Sequence, residues 1–149
     1  MPLNAVVHAG RSCAFCCAKT LAEKNTVVYK DARVFGIRDR NPRATHHFLV
    51  IPHEHIATVN DLTLEHHDLL SHMMETGRHL LAQEGLTSRA DYQLGFHRPP
   101  FASVKHLHLH CLGYPFVPSW NRFRFTESFL HSYVDAERVL ASLTPPVDR

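Results

Sequence analysis

The stretch His106-Leu107-His108-Leu109-His110-Cys111-Leu112 sets histidine against leucine in alternation. Successive side chains of a β-strand point to opposite faces, so the pattern predicts a strand within Lys105 to Gly113. Its three imidazoles share one face at about 6.6 Å spacing, with Leu107, Leu109 and Cys111 turned to a buried side. Three imidazoles on one face are costly to bury unless each finds a partner. The plain reading is a solvated or hydrogen-bonded polar face. Two chemical readings compete with it. Alternating histidines can supply two ligands to a zinc ion that carries a reactive water. Alternatively, one imidazole can attack phosphorus while its neighbours donate to phosphoryl oxygens. The second gains from the rest of the chain, which has neither the acidic cluster of a catalytic Mg²⁺ site nor a GxxxxGK[ST] phosphate loop.

Outward from this row, Thr26 to Lys30 and Arg33 to Arg38 are β-branched or aromatic and flank Asp31-Ala32, which predicts a hairpin. After the loop Arg40-Asn41-Pro42-Arg43, His46 to Ile51 reads as a third strand, closed by Pro52. Leu69, Leu70, Met73, Met74, Gly77, Leu80 and Leu81 recur at helical spacing, so a long helix is expected from Leu64 to Glu84, with Thr63 as N-cap and Gly85 as stop. Tyr92 to His97 returns to strand character. A last amphipathic helix is expected over Glu127 to Leu143, with Phe129, Leu130, Tyr133, Val134 and Leu140 on one side and Pro145-Pro146 as its end. Short links between the early strands favour antiparallel pairing. The expected fold is therefore α+β: an antiparallel sheet of about five strands, one long helix packed on it and a C-terminal helix. One domain is expected over residues 1–149, with a core at 12–113 and an aromatic segment and helix at 114–143.

The chain has 149 residues, 44% hydrophobic and 20% charged, with a formal charge of +2, the profile of an ordinary soluble domain. Its 14 histidines equal its Asp plus Glu count. Were all of them unperturbed, lowering the pH to about 6.5 would raise the net charge to roughly +9. Lys and Arg are scattered, which speaks against a dedicated nucleic-acid binder. The longest apolar run, Phe48 to Ile51, is far short of a membrane span. Neither a basic segment nor a long apolar stretch precedes Arg11, so no signal peptide is expected, and a cytoplasmic or nuclear setting with reduced thiols follows.

The row resembles the His-x-His-x-His signature of the histidine-triad nucleotide hydrolases and transferases. The resemblance extends over roughly Ser12 to Gly113. It includes Asp39, the run Thr45-His46-His47-Phe48-Leu49-Val50-Ile51-Pro52, the pair Pro52 and His55, and Gly95-Phe96-His97-Arg98-Pro99-Pro100-Phe101-Ala102-Ser103. The phrase GFHRPPFASVKHLHLH is most similar to the divergent Hint branch, with aprataxin as a near neighbour. The resemblance implies a homodimer that hydrolyses purine nucleoside 5′-phosphoramidates to AMP and an amine, with no cofactor needed for the chemistry. His108 would attack the α-phosphorus and carry the nucleotide, and His110 would hydrogen-bond a phosphate oxygen. Ser103 would contact phosphate or the departing amine, and His47 would orient the triad. Asp39 matches the position that accepts from ribose hydroxyls, while Arg40 beside it replaces a common apolar residue. Phe101-Ala102 departs from the Gly-Gln of many relatives.

Cys13 and Cys16 have the C-x₂-C spacing of half a zinc site. By the same resemblance, His55 and His106 would complete a closed structural Cys₂His₂ site. The competing reading is two reduced thiols packed near the core, and Cys17 could replace Cys16 in either. Ligation would remove His106 from proton transfer. His66, His67, His72 and His79 read as solvated or helix-capping residues. His46 and His47 must face opposite sides of their strand, so only one can reach the triad. His97 could line the pocket. Trp120, Phe123 and Phe125 read as core or dimer contacts. Two other functions stay open: removal of 5′-adenylate from nucleic acid in the manner of aprataxin, and nucleotide binding without turnover.

Overall fold

The computed structural model describes residues 13–144 except Ser103 and Phe129. The expected roles of Ser103 and Phe129 and the Pro145-Pro146 stop lie outside the described residues. The elements run α1 (Ala18–Lys24), β1 (Val27–Lys30), β2 (Val34–Arg38), β3 (Ala44–Pro52), α2 (His67–Gln83), β4 (Tyr92–His97), β5 (Leu109–Phe116), β6 (Tyr133–Asp135) and α3 (Ala136–Ser142), with short 3₁₀ turns between some of them. The six strands form one antiparallel sheet in the order β1-β2-β3-β5-β4-β6. The α+β class holds, with one strand more than the sequence suggested.

Alternation along the strands sorts the side chains. Val34, Phe48, Val50, Leu107, Leu109 and Cys111 face α2 and meet its Leu69, Leu70, Met73, Met74, Leu80 and Leu81 in the main core. Gly77 lets the helix approach the sheet, since a Cβ there would lie 2.6 Å from Cys111 Sγ. On the other face, Phe15 and Leu21 cover Phe35, Ile37, Leu49 and Ile51, while Phe125 and Tyr133 cover Ala44 and Leu112. The face left open by α2 is thus partly roofed at two places. No helix among the described residues is long and apolar enough to cross a membrane.

Hairpin β1–β2 forms as expected. Asp31 Oδ1 accepts from the Arg33 and Val34 N–H groups, at 2.7 and 2.8 Å, and closes the turn. The long helix starts later than Leu64: Leu64–His66 is a 3₁₀ turn, and Gly85, with φ of 84°, ends the segment. His66 acts as a cap by accepting from Thr63 N at 2.9 Å. His72 is not simply solvated: its Nε2 donates to Asp31 Oδ2 at 2.6 Å and ties α2 to the hairpin.

Two expectations are corrected. The late strand begins at Leu109, not Lys105. The β3–β5 register places Val50 opposite Leu109, so residue 107 would face Pro52, which has no N–H to give. The Leu107 N–H donates to Ile56 O instead, at 2.6 Å, leaving His106 and His108 just outside the ladder. The expected helix over Glu127 to Leu143 is also two elements. Tyr133–Asp135 pairs with the edge of β4, and among the described residues of that range only Ala136–Ser142 is helical. His131 breaks the chain at φ of 52°, and Asp135 Oδ1 accepts from Glu137 N to start the helix anew.

Candidate active site

His47 on β3 and His110 on β5 lie on the same sheet face, offset by one diagonal of the ladder. His46 faces away, with Nδ1 3.8 Å from Glu84 Oε2, as the alternation requires. All four of His47, His106, His108 and His110 are buried. Their hydrogen bonds assign the protons. The Arg43 backbone N–H donates to His47 Nδ1 at 3.0 Å, so the proton of neutral His47 sits on Nε2. That nitrogen lies 2.9 Å from His110 Nδ1 and donates to it, which moves the His110 proton to Nε2. His110 Nε2 is buried and has no partner among the described residues. The relay therefore ends in an unsatisfied donor, and a ligand oxygen is what would satisfy it.

His108 has the complementary arrangement. Its Nδ1 donates to the His106 carbonyl at 2.7 Å, so the lone pair of a neutral ring sits on Nε2. The His108 and His110 rings are 5.0 Å apart, and Phe15 packs edge-on against His108 at 5.4 Å. Burial holds His108 and His97 below the ordinary imidazole range, His110 well below it, and His47 and His106 down at about 4. Asp39 works against burial at His47, its Oδ2 lying 3.4 Å from Nε2. At neutral pH the site thus presents uncharged imidazoles, His108 with its lone pair on Nε2 and His110 with an unpartnered Nε2–H.

Two cavities meet here. One, of about 260 Å³, is lined by His108 and His110 together with Phe15, Leu49, Val104, Lys24, Asn25 and Arg40. The second, of about 240 Å³, is lined by His47, His97, His110, Arg43, Arg124, Phe101 and Phe125. Asp39 and Asn41 border both. The first has an apolar floor of Phe15, Leu49 and Val104 and includes both Asp39 and Arg40. A larger cavity of about 440 Å³ borders the histidines through Phe125 and Tyr133 and contains no histidine or cysteine, so the chemistry is not placed there.

The row does not behave as one unit. His106 turns toward the N-terminal segment, where its Nδ1 lies 3.3 Å from both Cys13 Sγ and Cys16 Sγ and 3.1 Å from His55 Nδ1. Cys16 Sγ is 3.0 Å from His55 Nδ1. The four donor atoms lie within 4.8 Å of one another. A zinc tetrahedron with Zn–N near 2.0 Å and Zn–S near 2.3 Å has donor–donor edges of about 3.3–3.8 Å, so these side chains fit that ion with little movement. His106 Nε2 donates to Pro52 O at 2.8 Å, which frees Nδ1 for ligation, as outer-shell partners of metal-bound histidines do. Burial and the Cys13 thiol push Cys16 up to about 11, so the Cys16 thiol stays protonated unless a cation sits beside it. Cys17 is not interchangeable with Cys16: it is exposed, at the start of α1.

His97 does join the site. Its ring is 4.8 Å from His110, and its Nε2 donates to Arg124 O at 2.8 Å. Phe125 lies against His47, His97 and His110 as part of the site wall, while Trp120 and Phe123 are 54% and 67% exposed. Arg43, Arg124 and Phe15 were not singled out by the sequence. Arg43 meets His47 through its backbone N–H, which any residue but proline could supply, and Arg124 arrives only through the tertiary fold.

Comparison with known proteins identifies the family. The family model described as scavenger mRNA decapping enzyme C-term binding matches residues 12–125. The bifunctional adenosine 5′-phosphosulfate phosphorylase/adenylylsulfatase HINT4 of Arabidopsis thaliana is 37% identical over 138 residues, 91% of this chain and 93% of the relative. The adenosine 5′-monophosphoramidase HINT3 of Xenopus tropicalis is 40% identical over 102 residues, 68% of this chain and 67% of the relative. Among solved structures, a HIT family hydrolase from Legionella pneumophila superposes with a TM-score of 0.63 at 35% identity, covering 69% of this chain and 93% of that one. The chain belongs to the histidine-triad family, in the group that the decapping-enzyme C-terminal domain represents.

Proposed function

We propose that this protein hydrolyses nucleoside 5′-phosphoryl compounds, adenosine 5′-phosphoramidate among them, through a nucleotide held covalently on His108. The observation that carries the reading is the pairing of a free His108 Nε2 with the unpartnered Nε2–H of His110. The His108 Nε2–P bond forms as the bond from phosphorus to the leaving group breaks, and with a phosphoramidate the nitrogen takes up a proton from solvent and leaves as a neutral amine. Water then attacks phosphorus and gives a proton back to solvent, the Nε2–P bond breaks with its electron pair returning to Nε2, and AMP departs. The His106 carbonyl stabilises the positive charge that the ring bears in between. His110 donates to a phosphoryl oxygen, His47 holds it in that tautomer, and Asp39 accepts from the ribose hydroxyls beside Arg40. By the family resemblance Ser103 would contact phosphate or the leaving group. Cys13, Cys16, His55 and His106 would hold a structural zinc, which adds folding energy and has no open position for substrate.

In this reading the active unit is a homodimer, for which half-exposed Phe101, Val117, Trp120 and Phe123 supply apolar surface. Light scattering should give twice the chain mass, and a monomer would refute that part. A second reading, release of 5′-adenylate from a nucleic-acid end, is favoured by the stacking of Arg124 over Trp120 and Arg122 over Phe123 on this rim. An adenylylated nick turned over far faster than the phosphoramidate would select it. For the main reading, His108→Ala should abolish AMP release from adenosine 5′-phosphoramidate, and mass spectrometry of the quenched wild-type reaction should place an adenylyl group on residue 108. Normal turnover by the variant would remove the proposal.

A further inference from the structure

We propose that the largest cavity, across Phe125 from the histidines, is a second binding site that takes a small organic amine with a hydroxyl or carbonyl oxygen at its other end. Asp135 holds the ammonium and Tyr133 the oxygen. The volume of about 440 Å³ is that of a small-ligand pocket. Strand alternation puts Gln93 on β4, Tyr114 on β5, and Tyr133 and Asp135 on β6 on the sheet face that carries His110. Tyr92, Tyr114, Phe125 and Tyr133 line the cavity, and the faces of aromatic rings attract cations.

The charged groups of the lining are the carboxylates of Glu127, Asp135 and Glu137 and the guanidinium of Arg89. Glu137 meets Arg89 and Arg78, and Glu127 meets Arg138 at 2.8 Å. Asp135 has no ion-pair partner among the described residues. Its Oδ1 accepts from the Glu137 N–H at 2.9 Å. Burial first, and then Glu127, raise its carboxyl above the ordinary range, with Arg89 and Arg138 opposing. A cation brought beside Asp135 relieves both causes.

An independent observation concerns Tyr133, which lines the same cavity and is 4% exposed. Gln93 Nε2 donates to Phe125 O at 2.7 Å and to the Tyr133 hydroxyl at 3.1 Å, while Gln93 Oε1 accepts from the Tyr114 hydroxyl at 2.7 Å. The Phe125 carbonyl fixes which end of the Gln93 amide is nitrogen, so the Tyr133 hydroxyl is an acceptor there. Its own proton has no acceptor among the described residues. A buried donor in that state calls for a ligand oxygen. Tyr133 and Asp135 are two residues apart on one strand face, about 6.6 Å along the chain. One ligand serves both when its ammonium and its oxygen are separated by a comparable distance, with an apolar spacer against the rings.

Tyramine, protonated at neutral pH, has this form and is the probe. Calorimetric titration compares it with para-ethylphenol, which lacks the ammonium, and with phenethylamine, which lacks the hydroxyl. The proteins are the wild type, Asp135→Asn, whose amide oxygen still caps α3, and Tyr133→Phe, which keeps the ring, each checked by thermal melting. In the wild type tyramine should bind at least about tenfold tighter than para-ethylphenol and about fivefold tighter than phenethylamine. Asp135→Asn should weaken tyramine by about the first factor and leave para-ethylphenol unchanged. Tyr133→Phe should weaken tyramine by about the second and leave phenethylamine unchanged. Saturating AMP should not displace the amine. No heat of binding for tyramine, or equal affinity for tyramine and para-ethylphenol, overturns the proposal on the wild type alone. An affinity for tyramine that Asp135→Asn leaves unchanged, or displacement by AMP, overturns the assignment to this cavity.

Discussion

At His47 both ring nitrogens are committed, one to the Arg43 N–H and one to His110. Removing it strands a buried acceptor on His110 and releases the tautomer that points a proton at the substrate. Such a loss costs about 1–3 kcal/mol, or roughly five- to 160-fold in rate. His47→Ala is therefore expected to lower kcat by that factor with little change in KM, and His47→Gln, whose amide can still donate, to recover part of it. A KM effect alone, or no rescue by Gln, would show that His47 does not act through His110. The same burial has a pH consequence. His47 has its pKa lowered from 6.5 to about 4, by burial first, with Arg43, His97 and His108 adding to the shift and Asp39 opposing it. Between those values the unfolded chain binds more protons than the folded one. The stability contribution is complete above pH of about 6.5 and is lost as pH falls toward about 4. His97 and His110 shift in the same direction. The melting temperature should fall steadily from pH 7 to pH 5, and a flat profile would contradict neutral burial.

At the scale of elements, the C-terminal segment closes the sheet rather than extending a helix. Tyr133 lies flat over Gly95, in the space that a Cβ on that residue would take, and donates nothing to the triad directly. It stands at ring distances of 5.9 Å from Phe125 and 6.0 Å from His97, so β6 backs the wall of the site. Gly95→Ala should displace Tyr133 and cost about 1–3 kcal/mol. In the Gly95→Ala, Tyr133→Ala double variant the two losses should fall short of their sum, as measured by urea denaturation. Full additivity would mean that the two residues do not share that space. This element was hidden because Leu130, Tyr133, Val134 and Leu140 also satisfy a helical period, and only pairing to β4, a long-range contact, decides between the two. Hairpin β1–β2, strands β3 and β4 and the long helix were legible because Asp31, Pro52, Gly85 and the apolar spacing act locally. The triad face and the His46/His47 division followed from strand alternation alone. The separate orientation of His106 and the entry of His97, Phe125 and Arg124 depend on where distant segments dock, which no local pattern encodes.

At the scale of the whole molecule, the four residues Cys13, Cys16, His55 and His106 join three distant segments: the start of the described chain, the loop after β3 and the approach to β5. The same N-terminal segment carries Phe15, which packs on His108 and helps floor the cavity proposed for the nucleoside. The His106 carbonyl is also the acceptor that orients His108. A tetrahedral ion on these donors would therefore act as a staple that holds the nucleoside floor and the nucleophile in one frame, without touching substrate. Protein purified from zinc-supplemented cells should contain close to one zinc per chain by elemental analysis, and Cys16→Ser should contain almost none. Losing about 3 kcal/mol, a fraction of the free energy that structural zinc sites supply, should lower the melting temperature by about 10 °C in a chain of this size. A strong chelator should produce the same shift in the wild type and none in Cys16→Ser. If zinc is absent from the wild type and the Cys16→Ser melting curve overlays it, the cluster is two packed thiols beside two histidines, and the frame is held by the apolar contacts of Phe15 and Leu21 alone.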